Sequence, residues 1–159
     1  MIIIKPLTAE TLEAAIALAE KSFSLDFNAN PNRIRTGLAA TVYPDKYPER
    51  FSNRIAPECI KYWVALENNQ VVGVVGYYIL TEDQADAAWI SWYCVDFPHR
   101  GKKIGLQLLE FIIEKVKSLG KTYLRLLSSD TPTEYRAHEI YKKRGFTSFR
   151  ESEVRPRSW

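Results

Sequence analysis

The 159-residue chain predicts an α/β (α+β) fold, a mixed, mostly antiparallel sheet of six to seven strands flanked by about four helices. Segments with strand character alternate with segments whose apolar residues recur at helical spacing. Three strand segments in the middle of the chain follow one another with only short connections, which indicates an antiparallel meander. These two observations define the fold class.

The N-terminal third begins with a strand and a helix. Ile2 to Lys5 predicts the strand, and Thr8 is a suitable N-cap for the helix. Apolar residues spaced by three and four form the core stripe of this helix: Leu12, Ile16, Ala19 and Phe23. Residues 24 to 58 mix prolines with aromatic residues, so this stretch predicts short helices and loops rather than regular sheet.

The remainder of the chain predicts the meander and then helix, strand, helix and strand. The strands are expected at Ile60 to Leu66, Val71 to Leu80, Ala88 to Val95, Tyr123 to Leu127 and Phe146 to Glu151. The helix after the meander begins at Ile104 and is ended by Gly120. The last helix is expected to open with a capping box from Thr131 to Glu134 and to end at Gly145.

Composition narrows the class of protein. With 46% hydrophobic and 26% charged residues, the chain suits a single globular domain over residues 1 to 159. The net charge of +3 is mild and spread along the chain, so nucleic acid is not implied as a partner. Cys59 and Cys94 lack the spacing of a zinc or disulfide motif. No apolar run is long enough to span a membrane, and we expect a cytoplasmic protein.

A short basic glycine turn lies between the strand that ends at Val95 and the helix that begins at Ile104. Unpaired backbone N–H groups at a helix start attract anions, and Arg100, Lys102 and Lys103 add positive charge. The turn therefore predicts a pyrophosphate site. The spellings of the P-loop and of the dinucleotide-binding loop are both absent, which argues against nucleotide hydrolysis and NAD binding.

From Arg100 to Gly105 the turn resembles the signature [QR]-x-x-G-x-[GA] of the GNAT superfamily of N-acetyltransferases. Lys103 stands where that signature has its first glycine. Because a residue at a helix start does not need a positive φ, we expect a lysine to be accommodated there. A second signature of the family is matched at Ala137, Tyr141, Gly145 and Phe146. The resemblance covers most of the chain. The family usually ends with a seventh strand, and because only Ser152 to Trp159 remain for it, we expect that strand to be short or absent.

The resemblance implies direct transfer of an acetyl group from acetyl-CoA to a primary amine of a small molecule or a peptide. In this family the strand end offers main-chain groups to the cofactor arm, so the N–H of Val95 would stabilise the oxyanion. The implied cofactor-binding residues are Cys94, Val95, Arg100, Gly101, Lys102, Lys103, Ile104, Gly105 and Leu106. Glu134 occupies the position of an asparagine that touches the cofactor arm in many members, and here it has a role in the capping box.

Tyr141 is the implied general acid. A tyrosine phenol with an ordinary pKa near 10 is protonated at neutral pH and can donate its proton to the leaving thiolate. The alternative interpretation is that Tyr141 is only a packed aromatic residue on an amphipathic helix. No metal ion is expected in this chemistry.

The general base is left open. Family members that use a base on the central strand carry it at positions matching Trp89 and Ser91, and neither side chain can accept a proton from an amine. The remaining candidates are Asp86 or Glu82 acting through water and a residue such as Asp26. A substrate amine with a low pKa would need no base at all.

Aromatic residues on the central strand are candidates for binding the amine by cation–π contact, or they belong to the core. Strand alternation places Trp89, Ser91 and Tyr93 on one face with Val95, and Trp92 and Cys94 on the other, provided that no bulge intervenes. We favour Trp89, Ser91 and Tyr93 as the substrate-binding set. Further aromatic residues upstream could extend it: Phe27, Tyr43 and Tyr47.

Two other functions stay open. The same scaffold could bind a CoA thioester as a sensor without turnover, which the missing strand base and Lys103 favour. An α/β module that binds a phosphate of a nucleic acid or protein would leave the second signature unexplained. His99 and His138 lack metal-ligand partners in the sequence pattern. A homodimer is compatible with the sequence, which does not determine the oligomeric state.

Overall fold

Five strands form one sheet in the order β1-β2-β3-β4-β5 in a computed structural model that describes residues 1–23, 31–51, 54–128 and 132–148. The strands are β1 (Ile2–Pro6), β2 (Ile60–Glu67), β3 (Gln70–Tyr78), β4 (Ala87–Val95) and β5 (Tyr123–Arg125). Neighbours from β1 to β4 are antiparallel, and β5 is parallel to β4. The mixed, mostly antiparallel sheet is confirmed, with five strands in the described residues where six to seven were predicted.

The described residues contain four helices, as predicted. They are α1 (Ala9–Ser22), α2 (Pro31–Val42), α3 (Ile104–Ser118) and α4 (Tyr135–Lys143). The backbone N–H of Thr8 donates to Thr11 Oγ1 at 3.1 Å and closes the start of α1. Prolines open short 3₁₀ turns between α2 and β2, at Pro44–Lys46, Pro48–Arg50 and Pro57–Cys59. The expectation of short helical segments in this stretch is confirmed.

The two faces of the sheet carry different helices. α1 and α2 cover one face through a cluster of buried residues: Leu12, Ile16, Ala19, Ile34, Leu38, Tyr62, Val64, Val74 and Cys94. On the other face, the indole of Trp63 lies 5.4 Å from the ring of Phe111 of α3. A Cβ added at Gly73 would lie 2.7 Å from Leu108 Cδ1, so α3 approaches β3 closely because this position has no side chain.

The chain divides into two compact units, Met1–Leu126 and Leu127–Trp159. In the second unit a 3₁₀ turn, Pro132–Glu134, precedes α4, and Gly145 ends the helix with φ 85°. The predicted last strand is not found at residues 146–148, and residues 149–151 lie outside the described residues. The predicted capping box involves Thr131, which lies outside the described residues, and the Glu134 carboxylate accepts a hydrogen bond from the Ser128 hydroxyl.

Candidate functional site

The basic turn presents consecutive backbone donors. No hydrogen bond within the described part of the chain uses the N–H groups from Gly101 to Leu106, and the first bond of α3 runs from Gln107 N to Lys103 O at 3.0 Å. The first N–H groups of a helix have no partner inside the helix, and the helix dipole places partial positive charge on them. The turn therefore has the arrangement of donors and charge that suits an anion.

Lys103 has a left-handed backbone, with φ 64° and ψ 13°. The expectation that a residue at this position needs no positive φ is wrong. The glycine of the family signature matches this conformation, which for a non-glycine residue costs about 1 to 2 kcal/mol. Gly101 is also left-handed, with φ 83°. The two left-handed residues bend the chain sharply into α3, so strain is stored at the start of the helix.

Arg100 is held by its neighbours rather than extended into solvent. Its Nε donates to the carbonyl of Val95 at 3.0 Å, and its guanidinium carbon lies 5.5 Å from the centre of the Phe97 ring. Phe97 is 73% exposed, so this cation–π contact occurs at the surface. The side chain of Arg100 thus joins the end of β4 to the turn that follows it.

Lys102 belongs to a chain of charges that the sequence interpretation missed. Its Nζ lies 3.7 Å from Glu67 Oε2, which also lies 3.3 Å from His99 Nε2. Asp96 lies 3.7 Å from the other nitrogen of His99 and 3.3 Å from Lys21 Nζ. His99 therefore contacts two carboxylates next to the turn. Because Glu67 comes from the end of β2, only the pairing of the sheet could have indicated it.

A bulge in β4 changes which residues share a face. Val74 pairs with Cys94 and Gly76 pairs with Ser91, so two β4 residues lie opposite Val75. One of them, Trp92, has φ 36°. The insertion of one extra residue reverses the alternation of the side chains beyond it.

The predicted substrate face is wrong because of this bulge. Tyr93 lies on the α3 side, where its hydroxyl donates to Gly105 O at 2.6 Å. Burial raises the pKa of Tyr93, which keeps the phenol neutral. Ser91 lies on the α1 and α2 side, 2.7 Å from the hydroxyl of Tyr62. Trp92 is on that side as well, with its ring 5.2 Å from Phe23. Tyr93 is thus separated from Ser91.

The other aromatic candidates have local roles where the structure describes them. The indole N–H of Trp89 donates to Asp83 Oδ2 at 2.7 Å, and its ring lies 6.2 Å from that of Tyr78. The ammonium of Lys46 lies 4.5 Å from the centre of the Tyr43 ring. Tyr47 packs against the core cluster. Phe27 lies outside the described residues. Of the favoured set, only Ser91 lies beside Trp92, the residue at the bulge.

The end of β4 has one open side. β5 pairs with β4 only from Ala87 to Trp89, and the described residues contain no strand beside the rest of β4 on that side. Asp96 N donates to Val72 O at 2.9 Å. Because neighbouring residues of an antiparallel strand direct their backbone groups alternately toward and away from the partner, the N–H of Val95 is directed away from β3. The Cys94 side chain lies in the core, and burial raises its pKa to about 12.

The base candidates lie away from this strand end or outside the described residues. Asp86 precedes β4, and nine residues of strand place it about 30 Å from Val95. Glu82 is bound by Arg54, whose hydrogen bond lowers the pKa of that carboxyl and makes it a weaker base. Asp26 lies outside the described residues.

The second unit carries Tyr141 together with a polar cluster. Tyr141 lies on α4, and its ring is 5.7 Å from that of Phe146. Ser128 Oγ lies 2.6 Å from His138 Nε2 and also bonds to Glu134. His138 therefore has a hydrogen-bonding partner in its own unit.

Two absences concern only the part of the chain that the structure describes. Its histidine, cysteine, aspartate and glutamate side chains form no group of three or more that could hold a metal ion. None of its helices is long and apolar enough to cross a membrane.

Comparison with known proteins gives one family and many similar structures. The model of the Acetyltransferase (GNAT) family matches residues 26–146. A predicted acetyltransferase with acetyl-CoA from Clostridium acetobutylicum is similar at 17% identity and TM-score 0.67, over 97% of this chain and 95% of that one. PaiA N-acetyltransferase from Thermoplasma acidophilum, in complex with coenzyme A, is similar at 20% identity and TM-score 0.66, over 92% and 90%.

A third similar structure is the ribosomal-protein-alanine N-acetyltransferase from Brucella melitensis biovar Abortus 2308. It has 17% identity and TM-score 0.67, over 97% of each chain. At these identities the likeness concerns the fold. Among curated protein sequences, none matches this chain.

Proposed function

The chain belongs to the acetyltransferase (GNAT) family, and we propose that it transfers the acetyl group of acetyl-CoA directly to a primary amine of a small molecule or a peptide. Enzymes of this family use acetyl-CoA as their cosubstrate. The observation that carries the proposal is the start of α3. Six consecutive N–H groups without a partner in the described chain, from Gly101 to Leu106, fit the pyrophosphate of a CoA thioester.

Charge at the turn supports the same ligand. Lys102 and Lys103 lie at the start of the helix. The Lys102 side chain is 52% exposed despite its ion pair with Glu67. An exposed ion pair of this kind contributes at most about 1 kcal/mol, so a polyanion can displace the carboxylate. We assign the pyrophosphate to the N–H groups and a supporting electrostatic role to the two lysines.

The open edge at the end of β4 supports the placement of the reaction. Acetyl-CoA supplies the acetyl group as a thioester. The N–H of Val95 is assigned to donate to the carbonyl oxygen as negative charge develops there. Tyr141 is assigned, on the family resemblance, to give its phenolic proton to the departing thiolate as the carbon–sulfur bond breaks. The nitrogen of the amine forms the new bond to carbon and loses one proton.

That last proton defines the chemistry of the substrate. Neither Trp89 nor Ser91 can act as a base, Asp86 is distant from the end of β4, and the hydrogen bond from Arg54 weakens Glu82 as a base. We therefore propose that the amine reacts in its neutral form and releases its proton to water. An amine with pKa near 10.4 is neutral in only about one molecule in 2,500 at pH 7, so most rate enhancement must come from positioning.

The test begins with a calorimetric titration of acetyl-CoA into the wild-type protein and into a Lys102→Ala, Lys103→Ala double variant. Removing two charges beside the pyrophosphate should weaken binding about 10- to 100-fold. A Lys115→Ala, Lys117→Ala variant loses the same charge in the last turn of α3 and should bind as the wild type does. Dephospho-CoA should retain the sensitivity to Lys102 and Lys103, because it keeps the pyrophosphate.

Release of free thiol in the presence of amines then tests turnover. Binding with acetylated amine as product supports the enzyme. Binding with no thiol release from any amine supports the alternative, a CoA-thioester sensor on the same scaffold, which the left-handed Lys103 and the missing strand base favour. The absence of binding by any CoA species would overturn both functions.

A further inference from the structure

Two arginines from separate segments meet on the α1 and α2 side of the sheet. Arg33 lies on α2, and Arg50 ends the 3₁₀ turn Pro48–Arg50. Gly37 follows Arg33 by one helical turn, and a Cβ added there would lie 3.3 Å from Arg50 Nη2. The same Cβ would lie 3.3 Å from the indole nitrogen of Trp92. The glycine thus leaves room for the guanidinium of Arg50 against α2, beside the bulge of β4.

Among the residues that the structure describes, this arginine pair, Arg33 and Arg50, has no counter-charge. The Nε atoms of both residues are buried and have no hydrogen-bond acceptor, and no carboxylate within the described residues pairs with either guanidinium. Other arginines of the chain do have carboxylate partners: Arg35 with Glu13, Arg54 with Glu82, and Arg125 with Asp83. The arginine pair therefore differs from these three arginines in its environment.

Such an arrangement is unfavourable without a ligand. Burial, and after it the positive charge of Arg50, lower the pKa of Arg33. A buried donor with no acceptor loses the hydrogen bond that it would make with water. Native proteins rarely leave groups of this kind unpaired unless another molecule completes the site.

The neutral groups around the arginine pair are suited to an anion as well. Tyr62 and Ser91 share one hydrogen bond of 2.7 Å, which leaves one hydroxyl proton for an acceptor. The charge of Arg50 acts on Tyr62, whose burial raises its pKa and keeps it protonated. The indole N–H of Trp92 adds a donor at the same place. Hydrogen-bond donors with positive charge, and with no carboxylate close by in the described part of the chain, suit an oxyanion.

We infer that the arginine pair binds an anionic group of the amine that accepts the acetyl group. The substrate is then an amine that also carries a carboxylate or a phosphate. This inference rests on the proposed function and names its substrate class. Trp92 is three residues from Val95 along β4, which corresponds to about 10 Å. The acceptor therefore has its anionic group within about 10 Å of the reacting nitrogen, as amino acids and small aminophosphates do. Arginine suits this role because its planar fork pairs with two oxygens at once.

The kinetic test uses matched acceptors: an amine that carries a carboxylate, the same amine with a carboxamide, and the same amine with a phosphate. For the wild type, kcat/KM should be at least tenfold higher for one of the anionic amines than for the carboxamide, and the better anion identifies the group. Arg50→Gln should reduce that preference to near unity, mainly through KM. Arg35 lies on the same helix as Arg33 and pairs with Glu13, so Arg35→Gln should keep the preference for the anionic amine. Equal kcat/KM for all three wild-type acceptors would overturn the inference.

A second test does not depend on turnover. Acetate or inorganic phosphate should raise the melting temperature of the wild type. A Lys102→Ala, Lys103→Ala variant should keep the part of this increase that comes from the arginine pair. An Arg33→Gln, Arg50→Gln double variant should lose that part. Without added anion, the arginine double variant should melt at or above the wild-type temperature, because a repulsion has been removed. A decrease of about 2 °C or more would instead indicate a structural role and overturn the inference. Acetyl-CoA titration into the same variant should be unchanged, so a failure of the proposed function is recognised separately.

Discussion

The basic turn from Arg100 to Gly105 and the arginine pair handle positive charge in opposite ways. The turn is exposed, relies on backbone N–H groups, and has a carboxylate beside Lys102. The arginine pair is partly buried, relies on side chains, and has no carboxylate partner in the described chain. A site of the first kind needs only a local chain conformation. A site of the second kind needs α2, a 3₁₀ turn and β4 to be in place together.

The largest expected effect comes from breaking the support of the arginine pair while sparing the turn. In Gly76→Ala, the new Cβ would lie 2.2 Å from Tyr62 Cδ1, so the Tyr62 ring must move away from Ser91. We expect a loss of about 2 to 3 kcal/mol in the free energy of unfolding, measured in urea. Acetyl-CoA binding by the folded variant should be close to that of the wild type.

The control for this change is Gly101→Ala. Gly101 has open space around its Cβ position but a φ of 83°, so the variant should lose only about 1 to 2 kcal/mol and should weaken acetyl-CoA binding. Equal stability of Gly76→Ala and the wild type would contradict the packing of Tyr62 over β3.

The same contrast explains what the sequence could predict. The strand, the turn from Arg100 and the helix from Ile104 are contiguous, so spacing alone located the candidate anion site. The left-handed φ of Lys103 was not predictable from residue type, since lysine rarely adopts it. The bulge at Trp92 depends on how β3 and β4 pair, and period-two alternation gave the wrong face for Tyr93. Arg33 and Arg50 belong to no motif, and only the tertiary fold brings them together.

The second prediction concerns pH and tests whether either region supplies a base. For an acceptor amine with pKa near 10, log kcat/KM should rise with a slope of about 1 between pH 7 and 9, roughly 100-fold, because the neutral amine is the reactive form. The Cys94 thiol, with its pKa raised to about 12 by burial, does not titrate in this window. An acceptor with pKa near 7 should give a nearly flat profile above pH 8. A plateau already at pH 7 for the basic amine would show that the protein supplies a base.

The third prediction separates the two regions by replacing one tyrosine in each with phenylalanine, which removes only the hydroxyl. Tyr93→Phe removes the hydrogen bond to Gly105 O at the start of α3 and should cost about 1 kcal/mol, with a several-fold rise in KM for acetyl-CoA. Tyr62→Phe removes the bond to Ser91 and should instead reduce the preference for an anionic acceptor. If both variants changed the same kinetic parameter, the two regions would not be independent.

The smallest expected effect concerns the strain at Lys103, and it requires two substitutions at one position. Lys103→Ala and Lys103→Gly lose the same charge, so they should weaken acetyl-CoA binding to a similar extent. They differ in the cost of the left-handed backbone, which glycine adopts without strain. We expect Lys103→Gly to be about 1 kcal/mol more stable than Lys103→Ala in urea unfolding, although glycine loses more entropy on folding. An alanine variant as stable as the glycine variant would mean that the turn does not hold a positive φ in solution, and the N–H groups from Gly101 to Leu106 would then not converge on one anion.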